Sequence, residues 1–202
     1  MSESIINIEL KNVYKTYGDK SVLSDLNLTI QSGSITAIMG TSGVGKTTLL
    51  RLIAGLEEPD SGTVTPAPVK VSMLFQEDRL CEQLTATENV TLVLPCSDRA
   101  SKKALYEDIQ KHFSQTGLDL AAHEASPVRD LSGGMKRRVA LVRAMIYPSD
   151  LVLLDEPCRG LDEATKELAV NYIKKERRGR TMIIVTHDEA EALSYGGTVV
   201  RL

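Results

Sequence analysis

An α/β architecture with a mostly parallel core sheet follows from three features of the 202-residue chain. The first is a pair of uninterrupted apolar runs, "LVLLD" from Leu151 and "TMIIV" from Thr181, the pattern of parallel strands covered on both faces. The second is their alternation with helical segments such as "TKELAVNYIKKERRG", which stops at a glycine. Strands and helices alternating in this way build a doubly wound sheet. The third lies near the start. In "VLSDLNLTI", Leu26, Leu28 and Ile30 alternate with polar residues, the period of a half-buried strand, so an N-terminal antiparallel β subdomain is expected.

The remaining elements come in order along the chain. "YGDK" supplies turn residues before that strand. "SITAIM" is an apolar run ending in Gly40, and "KTTLLRLIAGLEEPDSG" reads as a helix stopped near Gly55, with Pro59 beyond. "TVTPAPVKVSMLFQ" alternates, with Val69, Val71, Met73 and Phe75 on one side. From about Cys81 to Asp130 helical patterns take over, and in "SKKALYEDIQKHF" the residues Leu105, Ile109 and Phe113 recur at four-residue spacing. The expected organisation is one domain, 1–202, in which 1–80 and 131–202 form the core and about 81–130 an inserted helical subdomain. "DLSGGMKRRVALVRA" reads as a polar turn and a helix, and "DEAEALSYGG" as a short helix.

Composition narrows the function classes. Hydrophobic residues are 42% and charged residues 25%, ordinary for a soluble globular protein. The net charge of -3 argues against a nucleic-acid partner but permits a nucleotide, which needs only local positive potential. Cys81, Cys96 and Cys158 form no CxxC pair and are odd in number, which argues against a disulfide framework or zinc site and for a reducing compartment. "MSESIINIEL" lacks the features of a secretory signal, and the apolar runs are too short to span a bilayer. A soluble protein is expected, held by something else if it works at a membrane.

"GTSGVGKT", Gly40 to Thr47, matches G-x-x-x-x-G-K-[ST] between a strand and a helix. Gly40, Gly43 and Gly45 let the backbone curl so that its N–H groups converge on phosphate oxygens. Lys46 adds a mobile charge, Thr47 offers a hydroxyl to Mg²⁺, and the helix N-terminus points its positive dipole end at the same place. In "LVLLDEP", Asp155 stands at the carboxyl end of a buried strand and suits the outer sphere of Mg²⁺; Glu156, next to it, can take a proton from an attacking water. His187 comes after "MIIVT" at another strand end, where a catalytic and a structural role are both open. Gln76 ends "VSMLFQ" and by itself says little.

Taken together these residues resemble the ATP-binding cassette ATPases, the energy subunits of ABC transporters. "GTSGVGKTT", "FQ", "LSGGM", "LVLLDEP", "GLD" and "VTHD" match the family motifs in the right order over essentially the whole chain. The resemblance implies a P-loop NTPase fold, ATP and Mg²⁺ as ligands, and ATP hydrolysis. It implies ATP contacts along the loop that include Ser42, Val44 and Thr48, with Tyr17 of "KTYGDKSVL" stacked on adenine; the plainer reading of Tyr17 is a strand residue packed on the core. Gln76 matches the glutamine that contacts Mg²⁺ and the attacking water, and His187 the histidine that contacts the γ-phosphate.

The resemblance also gives the second glycine-bearing helix start a role. In the family two cassettes pack head to tail, and each signature loop covers the ATP of the other chain. Ser132, Gly133 and Gly134 are then the contacts to the partner's ATP, and Asp162 communicates across the dimer. Ser132 also reads as a plain N-cap, with Met135, Val139 and Val142 facing the core, and both readings can hold together. The basic run "KRR" reads as a solvated face.

"FQEDRL", "LTATENV" and "LSGGMKRRVALVRA" look like importer cassettes of the nitrate, sulfonate and taurine type. Two departures stand out: "CEQL" where that group often has a proline–tryptophan pair, and the charged Arg159 before Asp162. The chain stops soon after its last strand, so no regulatory domain is expected. What the resemblance implies is an ATPase subunit, paired with itself or a similar cassette and peripheral on the cytoplasmic face of the membrane. Its partners would be integral membrane permease subunits and an extracytoplasmic substrate-binding protein. A soluble ABC ATPase uncoupled from transport, and a non-catalytic nucleotide-binding module, are the competing readings; Lys46, Glu156 and His187 together weigh against the second.

Overall fold

Strand β3 (Ile35–Met39) separates two layers of core. Its Ile38 packs with Leu49, Leu50 and Ile53 of helix α1 (Lys46–Ile53), whereas its neighbours Ala37 and Met39 pack with Ala192 of a later helix. Successive side chains of a strand point to opposite faces, so this sheet is covered on both sides. In the computed structural model of the chain, residues 7–65, 70–94, 99–121 and 123–202 are described, 99–102 by their backbone alone. Val69, Cys96 and the opening Met1–Ile6 lie outside the described residues.

The chain folds as two units. The first comprises Met1–Met73, Ser149–Glu156 and Arg177–Leu202. In it β1 (Ile8–Tyr17), β2 (Lys20–Ile30) and β4 (Ser61–Thr65) form the expected antiparallel sheet, in the order β2-β1-β4. The hairpin closes with Tyr17 paired to Lys20. β5 (Val71–Leu74), β6 (Leu151–Asp155), β7 (Thr181–Val185) and β8 (Thr198–Arg201) join β3 in the order β5-β6-β7-β3-β8. The β6–β7, β7–β3 and β3–β8 pairs are parallel, and every residue of β3, β6 and β7 is buried. α1 ends at Ile53, just before the expected glycine stop.

One stretch divides differently from the expectation. "TVTPAPVKVSMLFQ" supplies two strands in two sheets, β4 and β5. In β5 it is Ser72 and Leu74 that are fully buried, while Val71 and Met73 are half-buried against the core. A strand covered on both faces has no solvent side to register an alternating pattern.

The second unit comprises Leu74–Pro148 and Pro157–Glu176. It contains α2 (Ala86–Thr91), α3 (Arg99–Gln115), a 3-10 turn at Val128–Asp130, α4 (Gly133–Ile146) and α5 (Glu163–Glu176). The span 81–130 lies inside this unit, which takes α4 and α5 as well. Thr85 and Glu88 make a reciprocal capping box at the start of α2. Ile109 and Phe113 of α3 are fully buried, as their spacing predicts. His112 Nδ1 meets the Tyr172 hydroxyl at 2.9 Å, tying α3 to α5.

The basic run is not a solvated face. Arg137 is only 3% exposed. On α4 it lies one turn before the buried Leu141, so helical periodicity carries it inward. Its guanidinium donates to the carbonyls of Phe75 at 2.8 Å and Gln76 at 3.4 Å and to the Asp78 carboxylate at 2.9 Å.

Leu153 stands in the middle of β6, with no exposed surface. Leu153→Ala should cost about 2–5 kcal/mol, the range for emptying a tightly packed aliphatic site. Chemical denaturation should show a lower midpoint at unchanged slope.

Candidate functional site

The site is assembled where three neighbouring strands end. β3 runs into Gly40 and the loop to Lys46. Gly43 and Gly45 have φ of 79° and 108°, a region that favours glycine. A Cβ on Gly45 would lie 2.8 Å from Val22 Cγ1 and 2.9 Å from the Val22 carbonyl oxygen, so the loop needs its glycine there. Among the described residues the N–H groups of Ser42, Gly43, Gly45 and Lys46 donate to no acceptor in the chain. Four free amides around a curled loop at a helix start form an anion cradle.

Lys46 is 8% exposed and donates from Nζ to the carbonyls of Gly40 at 2.7 Å and Thr41 at 2.9 Å. The ammonium is thus held at the loop by neutral acceptors that an anionic oxygen can replace. The Thr47 hydroxyl donates to Asp155 Oδ2 at 2.7 Å, and Asp155, closing β6, is 1% exposed. This pair presents hard oxygen donors suited to Mg²⁺. Among the described residues no group of three or more His, Cys, Asp or Glu could cage a metal alone, so an ion here needs oxygens from a ligand and water.

Glu156 comes next with φ of 50°, a left-handed conformation uncommon for a residue with a side chain. Its N–H donates to the Val185 carbonyl at 2.8 Å, which anchors the turn to the end of β7. The Glu156 side chain is 18% exposed, and its Oε1 lies 3.2 Å from Nδ1 of His187, whose side chain is 70% exposed. Behind His187, the buried Thr186 hydroxyl donates to Glu191 Oε2 at 2.9 Å and accepts from the Asp188 N–H at 3.1 Å, ordering the turn into α6 (Glu189–Ser194).

Tyr17 is 44% exposed, which removes the reading of a residue packed in the core. Its hydroxyl donates to Glu57, and the Lys15 ammonium lies 5.6 Å from the ring centroid. The Tyr17 hydrogen bond, helped by Arg51 at 3.1 Å, holds the Glu57 carboxyl below the usual carboxylate range.

The second unit carries the other expected residues. Gln76 is exposed in the segment after β5, and α4 braces that segment through Arg137 and Arg143, the latter donating to the carbonyls of Asp78 at 2.8 Å and Arg79 at 2.9 Å. Sequence reasoning missed both arginines; Arg143 stands alone in the apolar run "VALVRAMI", which was its signal, whereas Arg137 is hidden in the basic run. Ser132 caps α4, its hydroxyl accepting from the Met135 N–H at 3.3 Å. Val139 and Val142 face the core as expected, while Met135 is half-buried. A Cβ on Gly133 would meet nothing within 4 Å, and one on Gly134 would meet only Leu161 at 3.5 Å and the Gly160 carbonyl at 3.6 Å. No contact inside the chain requires these two glycines. Asp162 caps α5 by accepting from the Thr165 N–H and hydroxyl, both at 2.9 Å, and these bonds hold its carboxyl below the usual range.

A glycine cradle with free amides, closed by a lysine and a threonine–aspartate pair, defines a P-loop nucleotide-binding domain. The ABC transporter family model matches residues 23–159, more than half of the chain. The chain belongs to the ABC transporter family. It is 35% identical to the aliphatic sulfonates import ATP-binding protein SsuB 1 of Rhodococcus jostii, over 98% of this chain and 80% of that protein. It is 36% identical to the spermidine/putrescine import ATP-binding protein PotA of Mesoplasma florum, over 96% of this chain but only 58% of that one, so it spans less than two thirds of some relatives. Among solved structures it resembles the dimeric MJ0796, a bacterial ABC transporter cassette, with a TM-score of 0.84 and 31% identity over 96% of this chain and 94% of that one. A post-hydrolysis dimer of the same cassette, bound to ADP and Pi, matches equally well at 30% identity.

Tyr17→Phe should raise the titration midpoint of Glu57, followed by NMR of its side-chain carboxyl carbon. In the folded wild type the midpoint lies below the ordinary 4.5, so this carboxyl favours folding above pH 4.5 and the contribution is lost as pH falls through the folded value. An unchanged midpoint would mean that the hydroxyl does not hold Glu57.

Proposed function

We propose that this chain is the ATP-binding and ATP-hydrolysing subunit of an ABC importer, driving solute transport through separate membrane subunits by ATP-dependent pairing of two cassettes. The observation that carries the reading is the convergence of Lys46, Thr47–Asp155 and Glu156–His187 on one strand-end edge beside a cradle of free amides.

In this reading Lys46 exchanges its loop carbonyls for phosphate oxygens, and Tyr17 stacks on adenine. Thr47 and Asp155, with Gln76, hold Mg²⁺, which when bound neutralises charge on the phosphates. Glu156 accepts a proton from water as the water oxygen bonds to the γ-phosphorus and the bond to the β-phosphate bridge breaks. His187, in reach of Glu156, orients that carboxylate and contacts the γ-phosphate. The second anion loop, Ser132 with Gly133 and Gly134, serves the ATP of a partner cassette, aided by Asp162. The open space at Gly133 supports this, because a ligand from outside can approach the backbone there.

Among the described residues no helix is long and apolar enough to cross a membrane. The relatives' names as import ATP-binding proteins support membrane permeases as partners, a place on the cytoplasmic face, and delivery of solute by an extracytoplasmic binding protein. Those names span sulfonates, polyamines, sulfate or thiosulfate and ferric ions at 34–37% identity, so they favour no single cargo.

Glu156→Gln should lower ATP turnover about 10²- to 10⁴-fold, the share of a general base, while ATP binding survives. Near-normal turnover would remove Glu156 from the proton transfer. The shared site has its own test. Lys46→Ala in one copy and Ser132→Arg in another each spoil both sites of a homodimer. A mixture can form a heterodimer with one doubly damaged and one intact site, so mixing should restore a closed dimer holding ATP, seen by sedimentation and nucleotide content. Folded variants whose mixture neither pairs nor retains ATP would place the loop's action within its own chain.

A further inference from the structure

We infer that Lys20 is a second phosphate-side cation of the nucleotide site, delivered by the hairpin between β1 and β2; this rests on the ATP-binding reading above. The phosphate-loop motif does not contain this residue, and nothing in its local sequence marks it out.

Two contacts fix where Lys20 lies. At Gly45 a Cβ would stand 2.8 Å from Val22 Cγ1, 2.9 Å from Leu23 Cδ2 and 2.9 Å from the Val22 carbonyl oxygen, so β2 runs hard against the loop. Close approach to a backbone oxygen sets the strand's path, which leaves only the lysine side chain to be placed. At Gly43 the Lys20 Nζ is 3.6 Å from the position a Cβ would take, and nothing else comes within 4 Å. The ammonium therefore lies against the loop at Gly43, while the Lys46 ammonium is bonded to the carbonyls of Gly40 and Thr41. Among the described residues Lys20 makes no ion pair.

The hairpin also sets a direction. Lys20 is the direct cross-strand partner of Tyr17, and paired residues share one face of an antiparallel ribbon. One face of the hairpin tip thus carries an aromatic ring and a cation, and the cation is the one that reaches the phosphate loop. A planar base joined to a chain of phosphates is the ligand class that suits that order. Two lysines meeting at one loop repel each other, and a polyanion between them removes that cost.

The test is Mg²⁺-dependent binding of the fluorescent nucleotide mant-ATP to the full chain. At low ionic strength Lys20→Ala should bind about fivefold more weakly, the scale of one water-screened contact between unit charges at about 4 Å. Lys20→Glu should be weaker still, and Lys20→Arg close to wild type. At about 1 M salt, where the Debye length is about 3 Å, the differences should collapse. A packing role would not follow charge or salt in this way. Wild-type affinity of the Ala and Glu variants at low salt, or a deficit indifferent to salt, would overturn the proposal. Lys46→Ala is the reference: if it too binds mant-ATP normally, the nucleotide site itself is misassigned, whereas loss in Lys46→Ala alone sinks only the role of Lys20.

Discussion

The parallel register of β6, β7 and β3 is the constraint on which the site depends. Asp155 pairs with Val185, and Val185 pairs with Ile38, so the three strands reach the same edge at the same level. The residues just past each strand end are then delivered to one place: Glu156 after β6, Thr186 and His187 after β7, and Gly40 with the phosphate loop after β3. A slip of one residue would turn every side chain of a strand to the other face. With both faces packed, such a slip would set each side chain against a space shaped for another, so core packing and chemistry are set by the same register. The Thr47–Asp155 hydrogen bond then couples the first turn of α1 to the end of β6.

Much of this was legible in the sequence because the signals were local. The apolar runs of β6 and β7, the glycine pattern of the loop and the four-residue spacing in α3 each report their own environment. The features that stayed hidden depend on residues distant in sequence. The division of one alternating stretch into β4 and β5 is decided by which sheet each half joins. Arg137 reads as one charge of three in a basic run, and only the packing of α4 shows that it braces the segment after β5. Lys20 looks like a hairpin lysine until the approach of β2 to Gly45 places it at the loop. The pairing of Glu156 with His187 likewise spans 31 residues and needs adjacent strands to bring it about.

The glycines separate into two kinds. Gly45 is explained from within, because any side chain would strike β2. Gly133 and Gly134 are not, because a side chain at either would meet open space or ordinary contacts. Both sit in the first turn of α4, and glycine is a poor helix former compared with alanine. A helix start that forgoes better residues without steric need leaves its backbone bare toward solvent. That is a cost to folding with no return inside the chain, and in the proposed reading the partner cassette's ATP supplies the return.

Asp155 and Glu156 are adjacent carboxylates placed in different surroundings. Asp155 ends a β-strand, is closed off from water and is tied to Thr47. Glu156 leaves the strand through a left-handed backbone turn that faces its carboxylate toward His187 and partial solvent. Without that turn the alternation of an extended chain would send the two side chains to opposite faces of the sheet. The Glu156 N–H bond to the Val185 carbonyl holds the turn against its intrinsic strain. Two neighbouring carboxyls thus stand in different surroundings, one closed off beside Thr47 and one part-exposed beside His187, and the backbone conformation of one residue makes the difference between them.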